Sequence, residues 1–206
     1  MKIAHTILDL IGKTPMVEIG KLTEGIDARI VAKLEGFNPL SSVKDRAALA
    51  MIEDYEAKGL LTKDSILVEA TSGNMGIGLA YIAAYKGYRL VLTMPDSMSS
   101  ERKNLLKALG AELILTPGIL GMSGAKQKAQ EMADENPKAI LMRQFDNPAN
   151  AAIHVKTTAQ EIWNDTDGKV DIVVVGVGSG GTVSGVGEGL KKHNPAIRIV
   201  ALEPET

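Results

Sequence analysis

Between residues 65 and 202 the chain repeats one pattern: a short apolar run, a turn, then a longer segment with helical periodicity. The runs at 65–70 (SILVEA), 89–94, 111–116, 139–142, 171–175 and 198–202 read as strands. Helices are expected at 76–86, near 99–109, near 123–135, near 149–164 and near 182–192. The first of these, GIGLAYIAAYK, is apolar nearly all round and belongs in an interior. Parallel neighbours need a crossover of about a dozen residues or more, for which a helix is the usual solution. Strands and helices alternating at this spacing therefore predict an α/β protein with open parallel sheets covered on both faces. Upstream, a turn signal at Gly12-Lys13-Thr14-Pro15 precedes a further strand at 29–34, and another helix is expected to begin near Val43.

Charge and cysteine content narrow the function classes. A net charge of −2 with no basic run argues against nucleic acid or an anionic membrane as the main partner. Small anions need only local backbone amides, so they remain candidate ligands. With no cysteine there is neither a disulfide nor a thiolate metal ligand, and no metal site is expected. The segment MKIAHTILDLIGKTP lacks the features of a signal peptide, and no apolar run approaches the roughly 18 residues of a membrane span, so a cytoplasmic location is expected. The length of 206 residues suits one large domain or two small ones. The sequence stops at Glu203-Pro204-Glu205-Thr206, directly after a strand. An open α/β sheet rarely finishes there, and the expectation is a chain incomplete at its C-terminus.

Three loops carry candidate chemistry. In Asn38-Pro39-Leu40-Ser41-Ser42-Val43-Lys44-Asp45-Arg46, Ser42 reads as a helix N-cap and Asp45 as its capping-box partner, which places Lys44 in the first helical turn. A cation there opposes the helix field by roughly 0.3–1 kcal/mol, which favours the neutral amine that Schiff-base chemistry uses. The alternative is a solvated surface lysine. The same stretch fits S-x-x-K, but the companion motifs S-D-N and K-T-G are absent.

Gly176-Val177-Gly178-Ser179-Gly180-Gly181-Thr182 lies between an apolar strand and a helix, an arrangement that cradles phosphate. Its spacing also satisfies the dinucleotide fingerprint, with Glu203 at the ribose-binding position, so an NAD-binding oxidoreductase is an alternative. Thr71-Ser72-Gly73-Asn74 suits a carboxylate, or simply caps a helix. Gln144-Phe145-Asp146-Asn147-Pro148 offers another amide, or only a turn. Lysine, carboxylate loop and phosphate cradle together suit a phosphorylated aldehyde cofactor with an amino acid; a dinucleotide explains only the cradle. Walker A, H-E-x-x-H and C-x-x-C are absent. His5, His154 and His193 read as packing or surface residues, and Trp163 as a partly buried anchor.

At these residues the chain resembles the pyridoxal-phosphate enzymes of the cysteine synthase (O-acetylserine sulfhydrylase) and cystathionine β-synthase group. The likeness runs through LIGKTPMVEI, NPLSSVKDR, EATSGNMG, TMPDSMSSERKNLLKALGAELILTPG, GMSGA, QFDNPAN and GVGSGGT. It implies a fold-type II enzyme of two open parallel-sheet domains: 1–45 and 149–206 in the larger, incomplete one, and 46–148 in a smaller, mobile one. It implies that Lys44 binds pyridoxal 5′-phosphate as a Schiff base and then moves the α-proton. Asn74 would bond the phenolic oxygen, and Gly178, Ser179, Gly180, Gly181 and Thr182 would hold the phosphate. Thr71, Ser72, Gly73, Asn74, Met75 and Gln144 would grip the substrate α-carboxylate.

The implied reaction is β-replacement, O-acetyl-L-serine plus sulfide to L-cysteine plus acetate through an aminoacrylate, in a homodimer. Related alternatives are cystathionine β-synthase-like, O-phosphoserine sulfhydrylase and cysteine desulfhydrase activities. A non-catalytic alternative is a binder of the serine acetyltransferase C-terminal tail. Two departures stand out: Met75 occupies the family's threonine position, leaving only its backbone amide, and the family's serine facing the pyridine nitrogen would lie beyond Thr206, so weak or no turnover is expected unless the natural protein has that segment.

Overall fold

A computed structural model describes residues 3–205; Thr206, where the expected truncation was placed, lies outside the described residues. In chain order the strands are β1 (Met16–Glu18), β2 (Val31–Lys33), β3 (Ile66–Ala70), β4 (Arg89–Pro95), β5 (Glu112–Thr116), β6 (Ala139–Leu141), β7 (Ile172–Gly176) and β8 (Arg198–Leu202). The α-helices are α1 (Lys44–Ala57), α2 (Asn74–Lys86), α3 (Ser100–Ala108), α4 (Gly121–Glu135), α5 (Ala149–Ile153), α6 (Ala159–Asp165) and α7 (Gly181–His193). A π-helical turn, His154–Thr158, joins α5 to α6. The chain divides into two compact units, residues 47–150 and residues 1–46 with 151–206.

Residues 47–150 contain a four-stranded parallel sheet in the order β5-β4-β3-β6. Neighbouring residues of a strand point to opposite faces, which locates the covering helices. Thr93 donates its hydroxyl to the Ala125 carbonyl of α4 at 2.7 Å, whereas Leu92 lies against Gly76 of α2. The helices therefore cover both faces, and β3 and β4 are apolar and buried almost throughout. A Cβ on Gly76 would come within 3.1 Å of the Thr71 side chain and 3.2 Å of Leu92, so α2 lies this close only because that position has none. On the α4 face, Val68 and Ala70 pack with Ala125, Ala129 and Ala139.

The other unit has an antiparallel pair, β1 with β2, and a parallel pair, β7 with β8, in which Val174 lies opposite Val200. Its core joins Val186 and Leu190 of α7 to Ala159 and Ile162 of α6, with Val173 and Ile199 packed against them. Gly185 and Gly189, one turn apart, let α7 lie directly on the preceding helix, where a Cβ would strike the Ala151 carbonyl or the Ala159 side chain. The opposite face of β7 and β8 is exposed, with Ile172, Val174, Val200 and Leu202 between 37% and 60% accessible.

The strands and helices expected from sequence occur within a few residues of their predicted limits, with three differences. β1 was not anticipated, the 29–34 strand is confined to 31–33, and the expected 149–164 helix contains the π turn.

Candidate functional site

Lys44 opens α1, but its turn is built differently from a capping box. Ser42 Oγ accepts the Lys44 N–H at 3.1 Å, while the Asp45 carboxylate reaches past Ser42 to accept the Leu40 N–H at 2.7 Å. Ser41 has a left-handed φ of +59°, which folds the chain back so that Leu40 rather than Ser42 presents its amide. The Lys44 ammonium Nζ donates to Ser179 Oγ at 3.0 Å. Burial holds its pKa below the ordinary lysine value, so desolvation produces the shift that the helix field was expected to cause.

Ser179 lies in the turn between β7 and α7. Gly180, at φ +80°, adopts a left-handed conformation immediately before the helix begins, and Ser184 N–H closes the first helical turn on its carbonyl at 3.0 Å. At Gly178 an added Cβ would meet nothing within 4 Å, so the protein leaves open space beside this residue. Thr182 Oγ1 is 3.3 Å from His154 Nε2, and His154 Nδ1 is 2.8 Å from Thr158 Oγ1. His154 is buried, and burial first and the Arg46 charge second push its pKa down to about 4, keeping the ring neutral. The residue read as bland from sequence thus braces a threonine of the glycine turn. The π turn carries it there, consistent with the association of such bulges with functional sites.

Behind Lys44, the Arg46 side chain is 1% exposed and forms a two-sided clamp. It donates to both Glu35 oxygens at 2.8 Å and to Glu161 at 2.6 and 2.7 Å, with Thr14 and Thr157 at 3.2 Å. Lys33 adds a 2.9 Å ion pair to Glu161. Burial alone would raise the Glu161 pKa, but the hydrogen bonds from Arg46 and Lys33 bring it down to about 2. The clamp fixes the start of α1 against segments remote in sequence. No local motif advertises it.

The remaining candidates belong to residues 47–150. β3 and β6 are parallel neighbours, so the turns at their carboxyl ends, 71–75 and 143–147, are adjacent, as ligand-binding loops of open α/β sheets are. Thr71 is buried and its Oγ1 accepts the Gly73 N–H at 3.2 Å. Ser72 and Gly73 are half-buried, and Asn74, exposed at the start of α2, accepts from Arg102 Nη1 at 3.4 Å through its Oδ1. Met75 is 2% exposed, so its side chain fills the interior and only its backbone is available at the helix start. Gln144 is buried; its N–H donates to Glu69 Oε2 at 3.2 Å and its carbonyl accepts from Asn150 Nδ2 at 2.7 Å.

The candidates therefore form two sets: Lys44 with Gly178–Thr182 in one unit, and Thr71–Met75 with Gln144 in the other. Among the described residues no group of three or more metal-binding side chains occurs, and no helix is long and apolar enough to cross a membrane.

Comparison with known proteins gives the family. Residues 7–206 match the family described as pyridoxal-phosphate dependent enzyme, and the chain belongs to it. The cysteine synthase of Flavobacterium sp. is 55% identical over 198 residues, covering 96% of this chain and 64% of that protein. The crystal structure of cysteine synthase (OASS) from Entamoeba histolytica superimposes with a TM-score of 0.95 at 48% identity, covering 98% of this chain and 61% of the other. A hydrogen sulfide-producing enzyme from Fusobacterium nucleatum superimposes with a TM-score of 0.89 at 46% identity, covering 98% and 67%. The chain spans 60–66% of the length of the curated relatives it matches. The fold is the fold-type II α/β architecture, and the family's cofactor is pyridoxal 5′-phosphate.

The first set of residues fits that cofactor. A desolvated lysine amine lies 3.0 Å from a hydroxyl of the glycine turn, which has open space at Gly178 and leads into a 13-residue helix, whose first-turn amides fall outside the helix's own hydrogen-bond ladder as at any helix start. The dinucleotide reading, with Glu203 as its acid, finds no counterpart among the relatives named here.

Proposed function

We propose that this chain carries the β-replacement chemistry of cysteine synthase, O-acetyl-L-serine plus sulfide to L-cysteine plus acetate. The observation that carries the proposal is the half-buried Lys44 amine bonded to Ser179 of the glycine turn. When bound, pyridoxal phosphate supplies a ring that takes up electrons from the substrate α-carbon. Lys44 would hold the cofactor aldehyde and, once displaced by the substrate amine, its free amine would take the α-proton, a task helped by a lowered amine pKa. Gly178, Ser179, Gly180, Gly181 and Thr182 hold the phosphate, with His154 fixing the Thr182 hydroxyl. Asn74 donates to the phenolic oxygen, with its Oδ1 occupied by Arg102. Thr71, Ser72, Gly73, Asn74, the Met75 amide and Gln144 receive the substrate α-carboxylate. In that reaction acetate would leave Cβ with the electron pair of the broken bond, hydrosulfide would form the new Cβ–sulfur bond, and the proton held at Lys44 would return to the α-carbon.

The reading includes residues 46–148 as the smaller, mobile domain, assembly as a homodimer and a cytoplasmic location. It also includes the C-terminal tail of serine acetyltransferase as a peptide ligand of the same site. The likeness to the Fusobacterium enzyme supports one further reading, release of hydrogen sulfide from cysteine.

The test is cysteine formation by the cofactor-loaded chain given O-acetyl-L-serine and sulfide. Wild type is expected to form cysteine and acetate in equal amounts and Lys44→Ala neither. Equal rates in both proteins, or a loaded wild type that forms no cysteine, would contradict the proposal.

A further inference from the structure

Glu69 is the one carboxylate in a strand that otherwise reads ILV-A and is buried on both faces. It is 5% exposed, and an apolar residue would satisfy the packing there at no desolvation cost. Its two oxygens instead accept two backbone amides, Ala70 N–H and Gln144 N–H, each at 3.2 Å. The second bond joins β3 to the turn after β6. That turn needs external support: Arg143 lies in the left-handed region at φ +56°, and Asp146 and Asn147 both close on its carbonyl, at 3.0 and 2.8 Å. Asn150 holds the Gln144 carbonyl from the other side at 2.7 Å, and Asn147 donates to the Met142 carbonyl at 3.3 Å. Gln144 is thus fixed at both its N–H and its C=O by buried side chains from two other elements. Two residues beyond Glu69 the same strand becomes the Thr71–Met75 turn.

We propose that Glu69 is a positioning residue for substrate recognition: by tying the Gln144 backbone to the end of β3, it makes the Gln144 turn and the Thr71–Met75 turn a single, preformed carboxylate-binding surface. The inference rests on the carboxylate-binding role assigned above to those two turns. Such a surface gains affinity because less ordering is left for the moment of binding. Burial raises the Glu69 pKa to about 7, and the backbone amides of Gln144 and Ala70 oppose the rise.

The test uses the full chain with pyridoxal phosphate and compares wild type, Glu69→Leu and Glu69→Gln. Three quantities are read: covalent loading of Lys44, the Kd for O-acetyl-L-serine from the cofactor spectrum, and hydrogen exchange at the Gln144 amide. Glu69→Leu is expected to load normally, bind substrate about tenfold more weakly and exchange the Gln144 amide faster, the size expected for one lost buried hydrogen bond. Glu69→Gln, whose amide oxygen can still accept that N–H, is expected to recover the Kd to within about threefold, as its single remaining acceptor keeps the tie. An unchanged Kd in Glu69→Leu, or loss of loading in step with the loss of binding, would overturn the proposal. Should Glu69→Leu not fold, Asn150→Ala loosens the same turn from the other side and must weaken substrate binding while sparing loading. A wild type that never loads would refute the functional reading; the exchange measurement would still decide whether Glu69 holds Gln144.

Discussion

Both units contain parallel strands, yet they are held together by different means. In residues 47–150 the central strands β3 and β4 are buried on both faces, and their side chains are apolar except at Glu69, Thr93 and the exposed Arg89 that opens β4. In the other unit β7 and β8 have one bare face, and the buried interior contains Arg46 and His154, tied to Glu35, Glu161, Thr14 and Thr182. One unit is stabilised mainly by burial of apolar area, which is non-directional. The other adds to its apolar core directed bonds between segments more than 100 residues apart, such as the Arg46–Glu161 pair. The contrast matches the roles proposed for them: the directed network holds the start of α1 beside Lys44 and braces Thr182, the residues proposed to hold the cofactor, while the apolar sheet provides a frame for two turns.

Removing Arg46 should produce the largest effect. Arg46→Ala leaves the Glu35 carboxylate without its guanidinium partner in a buried setting, and a loss of about 3–5 kcal/mol is expected, measured by urea unfolding. In the apolar unit the comparable loss requires a cavity: Leu67→Ala, at a fully buried position, should cost about 2–5 kcal/mol without disturbing cofactor loading. If Arg46→Ala proves nearly neutral, the contrast fails.

The two units should also respond oppositely to pH. The His154 pKa falls from 6.5 to about 4 on folding, so the unfolded chain binds the extra proton between these values, and stability is lost as pH drops through that window. The Glu69 pKa rises from 4.5 to about 7, so here the folded chain binds the extra proton, and stability is lost as pH rises from 4.5 to about 7. Each arm amounts to roughly 3 kcal/mol. Unfolding midpoints across this range should lose the acid limb in His154→Gln and the neutral limb in Glu69→Gln. Identical pH profiles for the two variants would contradict the assignment of each limb to one unit.

Much of this was legible in the sequence because it is local. Alternating apolar runs and helical segments located β3 to β8 and their helices, and the glycine turn, the lysine stretch and TSGNM are contiguous motifs that the structure places at helix starts. What escaped is set by partners far along the chain. β1 has three residues, too few to show a period. The π turn accompanies the close approach of Gly185 to Ala151, about 30 positions away, and without it His154 looked like any other helical histidine. Arg46, Glu35 and Glu161 share no spacing rule. Glu69 was hidden inside a strand whose apolar neighbours made the assignment. The capping box failed for a related reason, since a left-handed Ser41 is not visible from a serine in the sequence.

The smallest predicted effect tests the bare face. Val174→Thr, on exposed β7, should change stability by less than about 0.5 kcal/mol, whereas Val68→Thr, fully buried in β3, should cost about 1–3 kcal/mol. Equal losses would mean that the two sheets are not as differently covered as their exposures indicate.

The central claim, that Lys44 bears the cofactor, is tested most directly by borohydride reduction of the chain with pyridoxal phosphate, followed by peptide mass mapping. One phosphopyridoxyl group on Lys44 is the predicted result. Its appearance on another lysine, or its absence from a folded chain, would contradict the account.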